Sequence, residues 1–158
     1  MLPPILQGRM LQALDIQDDE LVLEIGTGTG YFTALLATLA QHVTTVDIVL
    51  ELSAMAEQNM QHYGFDNVTY CVGDASQGWL LSDRVDVIVL TAAFVAVPEE
   101  YPQNLKVGGR LLAVVGQGQS MVVQLIRRVA EREWQTSTVL ETVIPAVINA
   151  EPKPEFEF

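Results

Sequence analysis

Cysteine is nearly absent, with Cys71 alone in a chain of 158 residues. One thiol excludes a disulfide framework and a cysteine-built zinc site, and it points to a reducing, cytoplasmic setting. Charge is scarce as well. Charged residues make up 18% of the chain, against about 25% in average soluble proteins, while apolar residues reach 49%, a balance that excludes disorder. Long apolar runs are missing too: the longest, over 87–97, falls short of the roughly 18 residues needed to cross a bilayer, so no membrane partner is expected. No basic segment followed by an apolar stretch opens the chain, so no signal peptide is expected. Cations are rare before Lys106, where only Arg9 and Arg84 face 14 acids; from Lys106 onward six cations meet six acids. The whole formal charge of −12 therefore lies in the first two thirds of the chain. Such acidity repels phosphate backbones and argues against a nucleic-acid partner. It leaves two sources for the excess, a solvated acidic face or acids lining a site for a cationic or hydroxyl-rich ligand.

The length fits a single domain over 1–158, and the pattern within it alternates strand and helix. Ile5, Leu6, Met10, Leu11 and Leu14 recur at helical spacing after Pro4, which suits a first helical turn. The apolar run over 21–25 reads as a buried strand closed by glycines, 31–40 as a helix and 43–47 as a β-branched strand. A helix over 50–63 ends at Gly64, and strands follow over 68–72, 85–90 and 109–115. This order predicts an α/β fold whose near-continuous apolar strands form a parallel sheet covered on both faces. Two β-rich runs over 121–130 and 134–143 predict an antiparallel pair that finishes the sheet. The tail over 151–158, EPKPEFEF, is either an edge strand or a frayed end.

Glu24-Ile-Gly26-Thr27-Gly28-Thr-Gly30 joins the first strand to a helix. Glycines there let the chain turn sharply and bring backbone N–H groups against a ligand at the helix N-terminus. The spacing is not the dinucleotide fingerprint, which would need glycine where Tyr31 stands. Asp47 ends the second strand, where a carboxylate can accept both hydroxyls of a ribose, and Asp74 follows the third, within reach of an adenine amino group. Glu24, inside an apolar strand, requires a partner; the ammonium of an amino-acid ligand is one candidate. Together these residues suit a nucleoside with a cationic amino-acid portion and no phosphate, and S-adenosyl-L-methionine matches that description.

The segments Val22-Leu-Glu-Ile-Gly-Thr-Gly-Thr-Gly-Tyr31, Val43-Thr-Thr-Val-Asp-Ile48, Asn67-Val68, Gly73-Asp74-Ala75, Gly78-Trp79, Thr91-Ala-Ala93 and Gly108-Gly109-Arg110 resemble, in order, the protein-L-isoaspartate O-methyltransferase family. The resemblance implies a doubly wound, Rossmann-like class I methyltransferase sheet of seven strands. It places Glu24, Gly26, Thr27, Gly28, Gly30, Asp47, Ile48, Asp74 and Ala75 around the cofactor, and Thr91 at a strand end facing the methyl donor. It implies protein repair, with methyl transferred to a carboxylate of isoaspartyl-containing protein or peptide. It also implies two departures. The family's N-terminal segment, which helps wall the active site, is expected to be missing from this short chain, and the apolar surface it would cover is then expected to favour self-association. Leu2 stands where family members carry a serine that serves the substrate.

A carboxylate acceptor is ionised at neutral pH and needs no general base. Accordingly no catalytic side chain and no metal ligand is assigned, and His42 and His62 read as surface residues at a helix exit and late in a helix. Three functions stay open: an isoaspartyl-type methyltransferase, a class I methyltransferase for another small-molecule or protein acceptor, and a cofactor-binding module without turnover. Met10, Met55 and Met60 read as core packing and Cys71 as a buried thiol. Trp79 either braces the loop after Asp74 or fills the core, and Pro145 resembles a family position near the substrate cleft.

Overall fold

The computed structural model describes residues 3–118 and 120–142. Its elements run α1 (Pro4–Leu14), β1 (Leu21–Ile25), α2 (Tyr31–Leu39), β2 (His42–Asp47), α3 (Leu50–His62), β3 (Val68–Val72), β4 (Val85–Phe94), α4 (Glu100–Gln103), β5 (Leu105–Gln117), β6 (Ser120–Ala130) and β7 (Glu133–Thr142). The seven strands form one sheet in the order β3-β2-β1-β4-β5-β6-β7. β1 to β5 pair in parallel, and β6 runs antiparallel to both β5 and β7, as the β-rich character of the last two runs predicts. Leu2, Val143, Pro145 and the tail over 151–158 lie outside the described residues.

Alternation with period two divides each strand between two cores. Val22, Val43, Val87, Val89, Leu112 and Val114 point to the face covered by Leu6, Met10 and Leu14 of α1, Phe32 and Leu36 of α2 and Met60 of α3. Leu23, Ile25, Val46, Ile88, Leu90, Leu111 and Ala113 point to the other face. There the cover among the described residues is thin, with Tyr101 of α4 and Ala75, Trp79 and Leu81 from the chain between β3 and β4. The doubly wound sheet thus carries two unequal layers.

α1 begins with Pro4 at its first position, where a missing N–H costs no hydrogen bond. It ends with Asp15 in the left-handed region, and the buried Arg110 side chain closes it. Arg110 Nε donates to Leu14 O at 2.6 Å and a terminal nitrogen to Asp15 O at 2.9 Å, satisfying carbonyls that a helix C-terminus leaves open. The same guanidinium forms an ion pair with Glu20, so one residue of β5 holds both α1 and the turn into β1.

Several boundaries differ from expectation. β4 continues four residues past Leu90, where Ala93 and Phe94 pair with Val114 and Val115 of β5 alone, and β5 starts at Leu105, the partner of Val85; both strands are extended by their ladder with each other. His42 opens β2 instead of leaving a helix, and its Nε2 lies 2.8 Å from Thr69 Oγ1. Met10 and Met60 are core residues, but Met55 is 49% exposed. Ala56 takes the inward position on α3, and Met55, one residue earlier, is rotated out by about 100°. Cys71 is partly buried and free. No helix among the described residues is long and apolar enough to cross a membrane.

Candidate functional site

Strand order reverses between β2 and β4, on either side of β1, and open α/β sheets place ligands at the carboxyl ends of the strands flanking such a point. The glycine loop leaves β1 there. Its first N–H, from Gly26, donates to Val46 O of β2 at 2.8 Å, and Gly30 donates back to Thr27 O at 3.0 Å. Gly26 is at φ +105° and packs its open face on Thr91, while Gly30 lets α2 approach Ala56 of α3. No side chain caps α2 and no acid stands in its first turn, which leaves its N-terminal amides to a ligand.

Asp47 ties this loop to the end of β2. Its Oδ2 accepts from the Gly28 N–H and its Oδ1 from the Val49 N–H, each at 2.9 Å. Each carboxylate oxygen has a second lone pair, so Asp47 can still accept two hydroxyls. Beside it a cleft of about 230 Å³ is lined by Gly26, Asp47, Ile48, Gly73, Asp74 and Ala75, with an apolar wall from Ile25, Val46, Val49, Leu52 and Ala92. Asp74 Oδ1 accepts from the Ser76 N–H at 3.0 Å. Five of the ten expected cofactor residues, Gly26, Asp47, Ile48, Asp74 and Ala75, are therefore on the cleft wall.

The others stand behind it. Glu24 is fully buried beneath the glycine loop, on the α2 side of the sheet, and is not part of the cleft wall. Its Oε1 accepts from the Thr33 hydroxyl and, at 2.7 Å, from the Thr45 hydroxyl. Thr45 spends its one proton there, so the 2.7 Å contact between Thr45 and Thr27 must have Thr27 as donor. Glu24 thus anchors the loop through Thr45 and Thr27. Its Oε2 has no partner, and burial, with Asp47 nearby, pushes the carboxyl up to about 7 despite the two threonine hydrogen bonds.

Thr91 also faces the loop. Its hydroxyl proton is shared between Ile25 O at 2.8 Å and Gly26 O at 2.9 Å. It sits in an irregularity of β4, where the register with β5 slips between Leu90 and Ala93. That slip turns Ala92 into the cleft and re-aims the strand end. Trp79 does both things expected of it: its ring packs under Gly73, bracing the loop, and joins the thinner core.

Sequence reasoning missed Thr33 and Thr45. A signal existed, because a carboxylate in an apolar strand demands donors, and Thr45 is the register partner of Glu24 on β2. It also missed Val49, Leu52 and Ala92, apolar residues with no chemical mark. Among the described residues no three His, Cys, Asp or Glu side chains gather as a metal site would require.

Comparison with known proteins places this geometry in context. A family profile described as protein-L-isoaspartate(D-aspartate) O-methyltransferase matches residues 2–151. The protein-L-isoaspartate O-methyltransferase of Vibrio atlanticus is 39% identical over 124 residues, 78% of this chain and 60% of the relative. That of Dictyoglomus turgidum is 42% identical over 113 residues, 72% of this chain and 51% of the relative. This chain therefore spans between half and two thirds of the length of these relatives. A solved protein-L-isoaspartate O-methyltransferase superposes with a TM-score of 0.81 at 26% identity, covering 90% of this chain and 46% of the other. A Plasmodium falciparum structure in complex with S-adenosyl-L-homocysteine shares the fold, with a TM-score of 0.79 at 15% identity over 93% of this chain and 75% of that one.

Proposed function

Since this chain belongs to the protein-L-isoaspartate(D-aspartate) O-methyltransferase family, we propose that it binds S-adenosyl-L-methionine in the cleft beside Asp47 and transfers a methyl group to a carboxylate of isoaspartyl-containing protein. The observation that carries this reading is the Asp47 carboxylate, held by the Gly28 and Val49 amides with lone pairs left toward the cleft.

The residues fit the cofactor. A ribose diol needs two acceptors at one strand end, and Asp47 supplies them. An adenine needs an apolar slot with an acceptor at its edge; Ile48, Val49 and Leu52 form the slot and Asp74 the edge. The positive end of α2 suits an amino-acid carboxylate, and the acidic walls suit sulfonium and ammonium charges. Bound there, the cofactor supplies a methyl group already activated on sulfur. The protein's part is positioning: Glu24 and Thr91 fix the glycine loop from below, Asp47 fixes the sugar, and an ionised acceptor carboxylate needs no proton removed. The single free cysteine supports a cytoplasmic setting for this reaction.

Calorimetric titration with S-adenosyl-L-homocysteine tests the cofactor, and labelled methyl transfer to an isoaspartyl peptide against its aspartyl isomer tests the acceptor. No binding at millimolar ligand would overturn the first half. Label that reaches only other acceptors, or binding without transfer, would overturn the second.

A further inference from the structure

The chain between β3 and β4 forms one wall of the cleft, yet no regular structure supports it from within. Its support comes from α4, four residues that carry no marked sequence signal. Tyr101 of α4 is fully buried, with its ring edge-on to Phe94 at 6.2 Å between centroids. Its hydroxyl donates to the Ala75 carbonyl oxygen. Asn104, just after α4, donates through Nδ2 to Trp79 O at 3.2 Å, and Gly78 lies directly against Glu100. One turn of chain thus grips the segment at Ala75, Gly78 and Trp79.

The hydrogen bond to Ala75 reaches further than packing. In a trans peptide the carbonyl and the following N–H point in opposite directions and move as one plane. The carbonyl of the Ala75–Ser76 peptide is taken by Tyr101, and its N–H donates to Asp74 Oδ1 at 3.0 Å. The sequence of contacts therefore runs from the Tyr101 hydroxyl through a rigid plane to the Asp74 carboxylate on the cleft wall. Tilting that plane would weaken both bonds at once.

We propose that Tyr101 is a positioning residue that sets the Asp74 carboxylate through the Ala75–Ser76 peptide, and so determines which nucleobase the cleft accepts. The inference rests on the cofactor reading above. A carboxylate held in this attitude accepts from an exocyclic amino group, as on adenine, and repels a carbonyl oxygen at the same place, as on hypoxanthine. Burial, with the charges of Glu100 and Asp74 nearby, raises the Tyr101 phenol, which keeps it a donor throughout the physiological range.

The test compares S-adenosyl-L-homocysteine with its deaminated analogue, S-inosyl-L-homocysteine, by calorimetry on wild type, Tyr101→Phe, Asp74→Asn and the double variant. Wild type is expected to prefer the adenine ligand, and Tyr101→Phe to lose roughly tenfold of that preference, in line with one buried carbonyl left unpaired. In the Asp74→Asn background the same change is expected to add little, because both act through one contact. Far-UV circular dichroism at 10 °C measures the folded fraction of each variant, and affinities are referred to it. Equal weakening of both ligands by Tyr101→Phe, or additive effects in the double variant, would overturn the proposal. So would a wild type that binds both ligands equally. A wild type that binds neither would instead sink the cofactor reading, and this inference with it.

Discussion

The Thr91 hydroxyl occupies the space that a side chain on Gly26 would need: a Cβ built on Gly26 lies 2.3 Å from Thr91 Oγ1. The same oxygen holds the Ile25 and Gly26 carbonyls, so the glycine and the threonine form one joint between β1 and β4. Gly26→Ala adds both this collision and the strain of a side chain at φ +105°, and it is expected to cost about 3 kcal/mol. Thr91→Ala in the same chain removes the colliding oxygen and leaves the nearest remaining Thr91 atom at an ordinary 3.7 Å. The double variant should therefore be no less stable than Gly26→Ala alone, despite the lost hydrogen bond. Urea midpoints of the four proteins check this, and strict additivity of the two changes would contradict it.

Asp47→Asn tests the cleft directly. Asparagine offers one acceptor oxygen where Asp47 offers two, so either the Gly28 or the Val49 N–H meets an amide that can only donate. Losing charge-assisted acceptors for a ligand diol is expected to raise the dissociation constant of S-adenosyl-L-homocysteine roughly 10- to 100-fold. Calorimetry reads the change, and an affinity within twofold of wild type would remove Asp47 from the site.

Glu24 makes stability depend on pH in an unusual direction. Its carboxyl moves from the ordinary 4.5 up to about 7 on folding. Between those values the native state binds more protons than the unfolded chain, so stability falls as pH rises from 4.5 to 7 and levels off above. The full contribution is about 3 kcal/mol. Glu24→Gln keeps an acceptor for Thr33 and Thr45 but cannot titrate, so the wild-type-minus-variant difference should carry the slope. Thr33→Val, which removes one donor to the carboxylate, should move the window to higher pH. Urea unfolding at intervals from pH 5 to 8 measures both, and a flat difference curve would show that Glu24 does not titrate there.

Much of this architecture was legible because its strands are short, apolar and buried on both faces. Val22-Leu23 and Ile88-Val89 feed opposite cores by simple alternation, and that is visible as an unbroken apolar run. Acids at strand ends were legible for a related reason: Asp47 interrupts a β-branched run where a parallel sheet opens to ligands. What stayed hidden depends on distant contact. α4 is four residues long and contains Pro102, so it has no periodicity, and the value of Tyr101 arises only when β4 brings Phe94 beside it. Glu24 was recognised as buried and in need of partners, but its orientation toward Thr33 and Thr45 follows from strand register, which one sequence does not state. Met55 was misplaced by one position on its helix, a rotation of about 100° that is enough to carry it off the buried face.

Arg110 sets the last expectation, since a single side chain joins three segments. It is buried, satisfies the Leu14 and Asp15 carbonyls and pairs with Glu20. Arg110→Met leaves the Leu14 carbonyl without a donor and Glu20 without its counter-ion, while Gln17 still donates to Asp15 O and to Glu20 Oε1, and it is expected to destabilise the fold by about 2 kcal/mol. Arg110→Lys keeps the charge but not the planar fork, and an ammonium cannot reach both carbonyls and the carboxylate together, so it should recover only part of the loss. The pH dependence separates charge from packing. The Arg110 hydrogen bond holds the Glu20 carboxyl below its ordinary value, so this contribution is present above the unfolded value near 4.5 and fades as pH falls below it. Acid unfolding followed by circular dichroism should show wild type losing its advantage over Arg110→Met as the medium is acidified through that range. An advantage that stays constant would mean that packing alone, and not the ion pair, holds α1 to the sheet.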